Sequence, residues 1–79
     1  MELTKHFKKM LEERSIQMER INRALREPQE MEDHDDGTRH YLCQIVEHGR
    51  RWLRVIINIR TRPERAVTAF FDRRIRSTP

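Results

Sequence analysis

The chain is poor in the residues that build many common kinds of site. It has one cysteine, two glycines, three prolines and five aromatics in 79 residues. A single cysteine, Cys43, excludes an internal disulfide framework and fits a reducing compartment. It sits within an apolar run, where a small buried core residue is expected. Two glycines, Gly37 and Gly49, exclude a glycine-rich phosphate loop, and with it nucleoside-triphosphate chemistry of that kind. The longest unbroken apolar runs, such as Val55–Ile57, are far too short to cross a bilayer. The opening residues, MELTKHFKKM, contain no apolar stretch of the kind a secretory signal needs. A soluble, cytoplasmic protein without membrane association is therefore expected.

Lysine is missing from the second half, and that absence has a counterpart. Residues 1–38 carry 7 basic and 10 acidic side chains, a balance of −3. Residues 39–79 carry 10 basic and 3 acidic, a balance of +7, and every cation there is arginine. The planar guanidinium suits bidentate phosphate contacts and stacking on bases. The first half reads as a solvated scaffold and the second as a surface for a polyanion. With 38% charged residues against 35% hydrophobic, a chain this short forms one domain of marginal stability. A partner or a homodimer contact is expected to complete its core.

Periodicity gives the elements. Thr4 caps a first helix, roughly 4–14, whose apolar face carries Leu3, Phe7, Met10 and Leu11. A second helix, about 17–26, carries Met18, Ile21, Ala24 and Leu25; Ile16 and Ile21 form a hydrophobic staple, and Pro28 ends it. The acidic stretch EPQEMEDHDDGT has Met31 as its sole apolar residue and leaves room for one short edge strand. DDG at 35–37 signals a hairpin turn. Strands follow at about 39–47, 51–60 and 66–71, with turns at Gly49 and Pro63, and such short connections force antiparallel pairing. In the middle strand Leu53, Val55, Ile57 and Ile59 point toward the helices. Trp52, Arg54, Ile56, Asn58 and Arg60 point away, a mixture of cations and apolar anchors with the composition of a binding surface. In the last strand Val67, Ala69 and Phe71 alternate as buried positions. The fold class expected is α+β: two N-terminal helices packed on one face of a three- to four-stranded antiparallel sheet.

Candidate chemistry is sparse. None of the histidines His6, His34, His40 and His48 pair at helical spacing, and with one cysteine no zinc site is expected. Asp33, His34, Asp35 and Asp36 read as a charged turn. His6, at the edge of the first apolar stripe, is a partly exposed helix residue or a general acid or base. Arg14 complements the dipole of the helix it ends. Arg54 stands in mid-strand on the half-apolar face. Trp52 covers the sheet or offers a stacking platform for a base. DRRIR, with Arg73, Arg74 and Arg76, is a solvated tail or a phosphate clamp.

Several short motifs together resemble a known group. LTKHFKKMLEERSIQMERINRAL, with His6, Arg14 and Ile16, is similar to the opening of small bacterial domains that place a histidine early in the first helix and an Arg–x–Ile step before the second. WLRVIIN and RAVTAFF look like that group's last two strands, the latter with a Thr–x–aromatic step at Thr68 and Phe70. The group resembles the RelE and BrnT toxins and the barnase–EndoU–colicin–RelE ribonuclease fold, and the likeness covers about residues 3–76. The resemblance implies RNA cleavage on the sheet face without metal or other cofactor, in a bacterial cytoplasmic protein whose partners are RNA or the ribosome and an acidic antitoxin. Under that reading His6 is base or acid, Arg14 and Arg54 stabilise charge, and Thr68 orients the phosphate. Arg39, Arg51, Trp52, Arg60, Arg73, Arg74 and Arg76 hold the RNA. The alternatives are a non-catalytic RNA- or protein-binding module on the same fold, and a regulator that docks on an acidic protein.

Overall fold

In the computed structural model, which describes residues 1–75, two helices precede a four-stranded antiparallel sheet of simple up-and-down order. Helix α1 spans Lys5–Glu13 and α2 spans Met18–Arg26. The strands are β1 (Glu30–Asp33), β2 (Thr38–Ile45), β3 (Arg51–Asn58) and β4 (Arg65–Phe71). The α+β class, both helices and the short acidic edge strand match the sequence reading. Among the described residues no helix is long and apolar enough to cross a membrane.

Local chemistry explains each boundary. The Thr4 hydroxyl accepts from the Phe7 amide at 3.1 Å and starts α1. At its other end Ser15 takes a left-handed conformation, φ 55°. That lets Ile16 N–H reach the Leu11 carbonyl at 2.8 Å and Ser15 N–H reach Glu12 at 3.1 Å, the two bonds of a Schellman motif. Leu11 and Ile16, which such a motif packs together, are both buried in the core. Ile16 and Ile21, the expected staple on α2, lie in that same core. We expect Thr4→Ala to cost about 1 kcal/mol in urea unfolding, since it removes a cap without touching the core.

The core lies between the helices and one sheet face. Phe7, Met10, Leu11, Ile21 and Ala24 meet Cys43, Ile45, Leu53, Val55, Ile57 and Ala69 there, with Ile59 partly buried beside them. The face assignment of β3 therefore holds. Burial raises the Cys43 thiol above its usual pKa, which makes it unreactive.

Three details depart from expectation. β2 stops at Ile45, because Val46–His48 wind into a 3₁₀ turn before Gly49 and Arg50, at φ 67° and 57°, swing the chain round. β3 stops at Asn58, whose side chain accepts from the Arg60 amide at 2.9 Å and turns the backbone. Alternation in β4 breaks at a bulge: Ile56 pairs with Thr68 but Ile57 with Ala66, so Val67 is the extra residue and lies exposed. Ala66 and Ala69, which do not alternate, are the buried pair.

Candidate functional site on the helix-free sheet face

The sheet face away from the helices holds a dense polar network. It is assembled by cross-strand register. β1 and β2 pair Glu32 with His40, and β2 and β3 pair Leu42 with Arg54 and His40 with Ile56. Just past β4, the Asp72 amide donates to the Trp52 carbonyl at 2.8 Å and brings its carboxylate under the same face.

Arg54 is the hub. Its Nε donates to Asp72 Oδ2 at 2.8 Å, and its Nη1 donates to Glu32 Oε1 at 2.8 Å and His40 Nδ1 at 2.9 Å. Arg54, His40 and Asp72 are the buried polar residues among those described. Arginine only donates, so His40 Nδ1 must accept, and the proton of the neutral ring stands on Nε2. That Nε2–H donates to Thr38 Oγ1 at 3.2 Å, and the hydroxyl donates on to Asp36 Oδ1 at 2.6 Å. Burial, with the nearby charges of His34 and Arg54, lowers the His40 pKa and keeps the ring neutral. His34 stacks on His40 with ring centroids 3.7 Å apart and planes 13° from parallel. Its Nε2 donates to Glu32 Oε1 at 3.0 Å. Hydrogen bonds from Arg54 and His34 hold the Glu32 carboxyl below its ordinary value, so this oxygen is a carboxylate acceptor. Glu32, His34 and His40 each offer a donor atom within 4.8 Å of the others'.

Arg74 completes the network. Its Nε and Nη2 reach the two Asp72 oxygens, each at 3.0 Å. Hydrogen bonds from Arg74 and then Arg54 hold the Asp72 carboxyl far below the usual carboxylate range, against the effect of burial. Two guanidiniums thus face two carboxylates around a neutral histidine.

Asp72 also lines an open cavity of about 590 Å³ where β3 begins and β4 ends. Arg50, Arg51, Trp52, Phe71 and Arg73 form its wall. Among the described residues, Arg50, Arg51 and Arg73 have no carboxylate partner. Phe71 stacks on His48 at 4.4 Å. The buried Trp52 Nε1 has no acceptor among the described residues.

The residues singled out from sequence fall into separate places. His6 is exposed on α1, on the helix side of the sheet from Arg54. It is eight residues before Arg14, roughly 12 Å along the helix axis. Arg14 and Thr68 do meet: Nη1 of Arg14 donates to Thr68 Oγ1 at 3.1 Å and to the Ala69 carbonyl at 2.7 Å. Arg54 is buried in the network instead of standing open as a free cation. Arg39 is held by Asp33, Nε to Oδ1 at 2.6 Å, and Arg60 packs over the Gly37 turn with Nη2 on the Asp35 carbonyl at 3.2 Å. Arg51, Trp52 and Arg73 line the cavity, Arg74 is clamped on Asp72, and Arg76 lies outside the described residues.

The grouping of Glu32, His34, His40 and Asp72 is not visible in the sequence, because the two histidines do not fall at helical spacing and the two carboxylates read as solvated charges. The hairpin signal at Gly37 carried the missing information. Folding the chain about that turn sets Glu32 opposite His40 and brings His34 onto its ring.

Residues 3–71 match a family described as Domain of unknown function (DUF4258). The chain belongs to the DUF4258 family. The matched span includes Glu32, His34, His40 and Arg54, while Asp72, Arg73 and Arg74 lie just beyond it. No curated protein matches the DUF4258 chain, and no solved structure does.

Proposed function

We propose that this chain is a cytoplasmic RNA-cleaving domain of the RelE/BrnT toxin kind, working without a metal on the helix-free sheet face. The observation that carries the reading is the stacked His34–His40 pair, bracketed by Glu32 and Arg54, beside an arginine- and tryptophan-lined cavity. RNA supplies its own nucleophile, the 2′-hydroxyl, so the protein needs a base, an acid and a cation. His40, neutral with a lone pair on Nδ1, takes the 2′-hydroxyl proton once the Arg54 Nη1 turns to the phosphate. The 2′-oxygen bonds to phosphorus and the bond to the 5′-oxygen breaks. His34, in its doubly protonated form with Nε2–H on Glu32, gives that proton to the leaving oxygen and ends as the neutral ring. A 2′,3′-cyclic phosphate and a 5′-hydroxyl result. Asp72 stays paired with the Arg74 side chain while the Arg54 guanidinium moves.

Phosphates flanking the cleaved bond are held by Arg50, Arg51 and Arg73 of the cavity wall, with Trp52 and Phe71 as surfaces for bases. An acidic protein partner would cover the same rim and silence the domain. Each phosphate contact on a single strand contributes roughly 0.7 to the slope of log affinity against log salt. We expect replacement of Arg50, Arg51 and Arg73 together by serine to flatten that slope by about two units. Replacing Arg39 and Arg60, whose side chains have partners within the fold, should leave it nearly unchanged.

A second reading, an RNA- or protein-binding module without catalysis, draws on the neutralisation of Arg54 and Arg74 by Glu32 and Asp72. Incubating purified protein with free RNA and with ribosomes, chelator present, separates the two. Cleavage products ending in cyclic phosphate support the first reading. Salt-dependent binding with intact RNA in both incubations leaves the second.

A further inference from the structure

We propose that Glu32, His34 and His40 form a binding site for a divalent transition metal of the zinc type, entered when the guanidinium end of Arg54 withdraws. Donor chemistry and geometry both fit. Two imidazoles and one carboxylate are borderline ligands that suit zinc, copper or nickel and not magnesium or calcium. Their donor atoms lie within 4.8 Å of one another. His34 Nε2 and Glu32 Oε1 are already 3.0 Å apart. Zinc bonds of about 2.0–2.1 Å at tetrahedral angles put neighbouring ligands roughly 3.3 Å apart, so the site closes when the exposed His34 ring turns off the His40 stack, with a fourth position left for water.

The surroundings are those of a metal-binding histidine. His40 Nδ1 presents its lone pair inward, toward Glu32 and Arg54. Its outer nitrogen donates to Thr38 Oγ1, which is itself anchored on Asp36. Such a relay from the far ring nitrogen to a carboxylate fixes the tautomer and raises the basicity of a ligating imidazole. A positive group already occupies the centre: Arg54 Nη1 lies 2.8 Å from Glu32 Oε1 and 2.9 Å from His40 Nδ1. Asp72 has a second partner, the Arg74 side chain, with Nε and Nη2 on its two oxygens at 3.0 Å, so the Arg54 guanidinium can withdraw without orphaning the buried aspartate. The route in is open, because the Glu32 and His34 side chains are 42% and 41% exposed.

Coordination needs the His34 Nε2 lone pair, so the neutral ring carries its proton on Nδ1 when metal is bound. With metal seated, His40 Nδ1 and His34 Nε2, the two nitrogens the cleavage step uses, are both occupied. That inhibitory consequence rests on the RNA-cleavage reading; the binding itself does not.

Isothermal titration of the whole chain with zinc chloride, without RNA, tests the site. One zinc per chain is expected. His34→Ala and Glu32→Gln, both at exposed positions, should each weaken it at least ~tenfold. His48→Ala, outside the cluster, should bind as the wild type does. Cobalt added to the wild-type protein should give the visible absorption of a four-coordinate site, a readout that survives if a variant fails to fold. No saturable zinc binding, zinc binding unchanged by His34→Ala, or equal loss in His48→Ala would overturn the assignment. Zinc binding with no RNA cleavage under any condition would sink the ribonuclease reading and leave the metal site standing.

Discussion

Asp72→Ala should destabilise the domain by about 3–5 kcal/mol, as removal of one partner from a buried ion pair does. The Asp72 side chain is 2% exposed and receives three side-chain bonds from Arg54 and Arg74. Without it, the buried Arg54 retains one carboxylate, Glu32, which is half in water. Small domains have only ~5–15 kcal/mol in total, so much of the fold's stability is at stake in one surface-adjacent residue. Urea unfolding measures the loss. Replacing both partners with apolar side chains, Arg54→Met with Asp72→Leu, should restore most of it, because the cost lies in the unpaired charge. If Asp72→Ala unfolds at the wild-type urea concentration, the network carries no stability.

The same pair sets the acid response. The folded Asp72 carboxyl is held well below its unfolded value of about 3.9. Its stabilisation is thus complete above roughly pH 5 and is lost as pH falls toward the folded pKa. His40 acts in the same direction. Its folded pKa is lowered, so protonation of the unfolded chain below about pH 6.5 favours unfolding. Wild-type stability should decline with acid, and Asp72→Ala should show a flatter decline below pH 5.

The second large effect follows from the proposed ribonuclease reading. We expect His40→Asn to lower RNA cleavage by ~10²–10⁴-fold, the usual loss for a general base. Asparagine keeps a polar group near Thr38 while removing the titrating nitrogen, so the fold should survive and salt-dependent RNA binding should stay near wild type. A variant that binds normally and does not cleave separates the base from the phosphate grip. If RNA binding falls as far as cleavage, His40 serves the fold or the docking surface and not the chemistry.

Most of the architecture was legible because it rests on local signals. Thr4, Pro28, Gly37 and Gly49 marked boundaries, and the alternation Leu53–Val55–Ile57 named the buried face of β3. The bulge at Val67 was not legible, since alanine at 66 and 69 carries too little hydrophobic signal to compete with Val67 and Phe71. The site was legible in part. Trp52 and Arg54 stood out as an aromatic and a cation on one face of β3, and Arg51 and Arg73 as cations near it. Their partners did not, because Glu32 and Asp72 looked like solvated charges until register and the turn after β4 brought them to Arg54. His6 drew attention by its place on a helix, yet that helix packs on the far side of the sheet.

The most direct test compares His40→Asn and His6→Ala in one cleavage assay, with chelator present and with RNA binding measured alongside. A chemical centre on the helix-free face requires His40→Asn to abolish cleavage and His6→Ala to keep wild-type rates. Full cleavage by His40→Asn, with loss in His6→Ala, would contradict it and move the chemistry to the helix side.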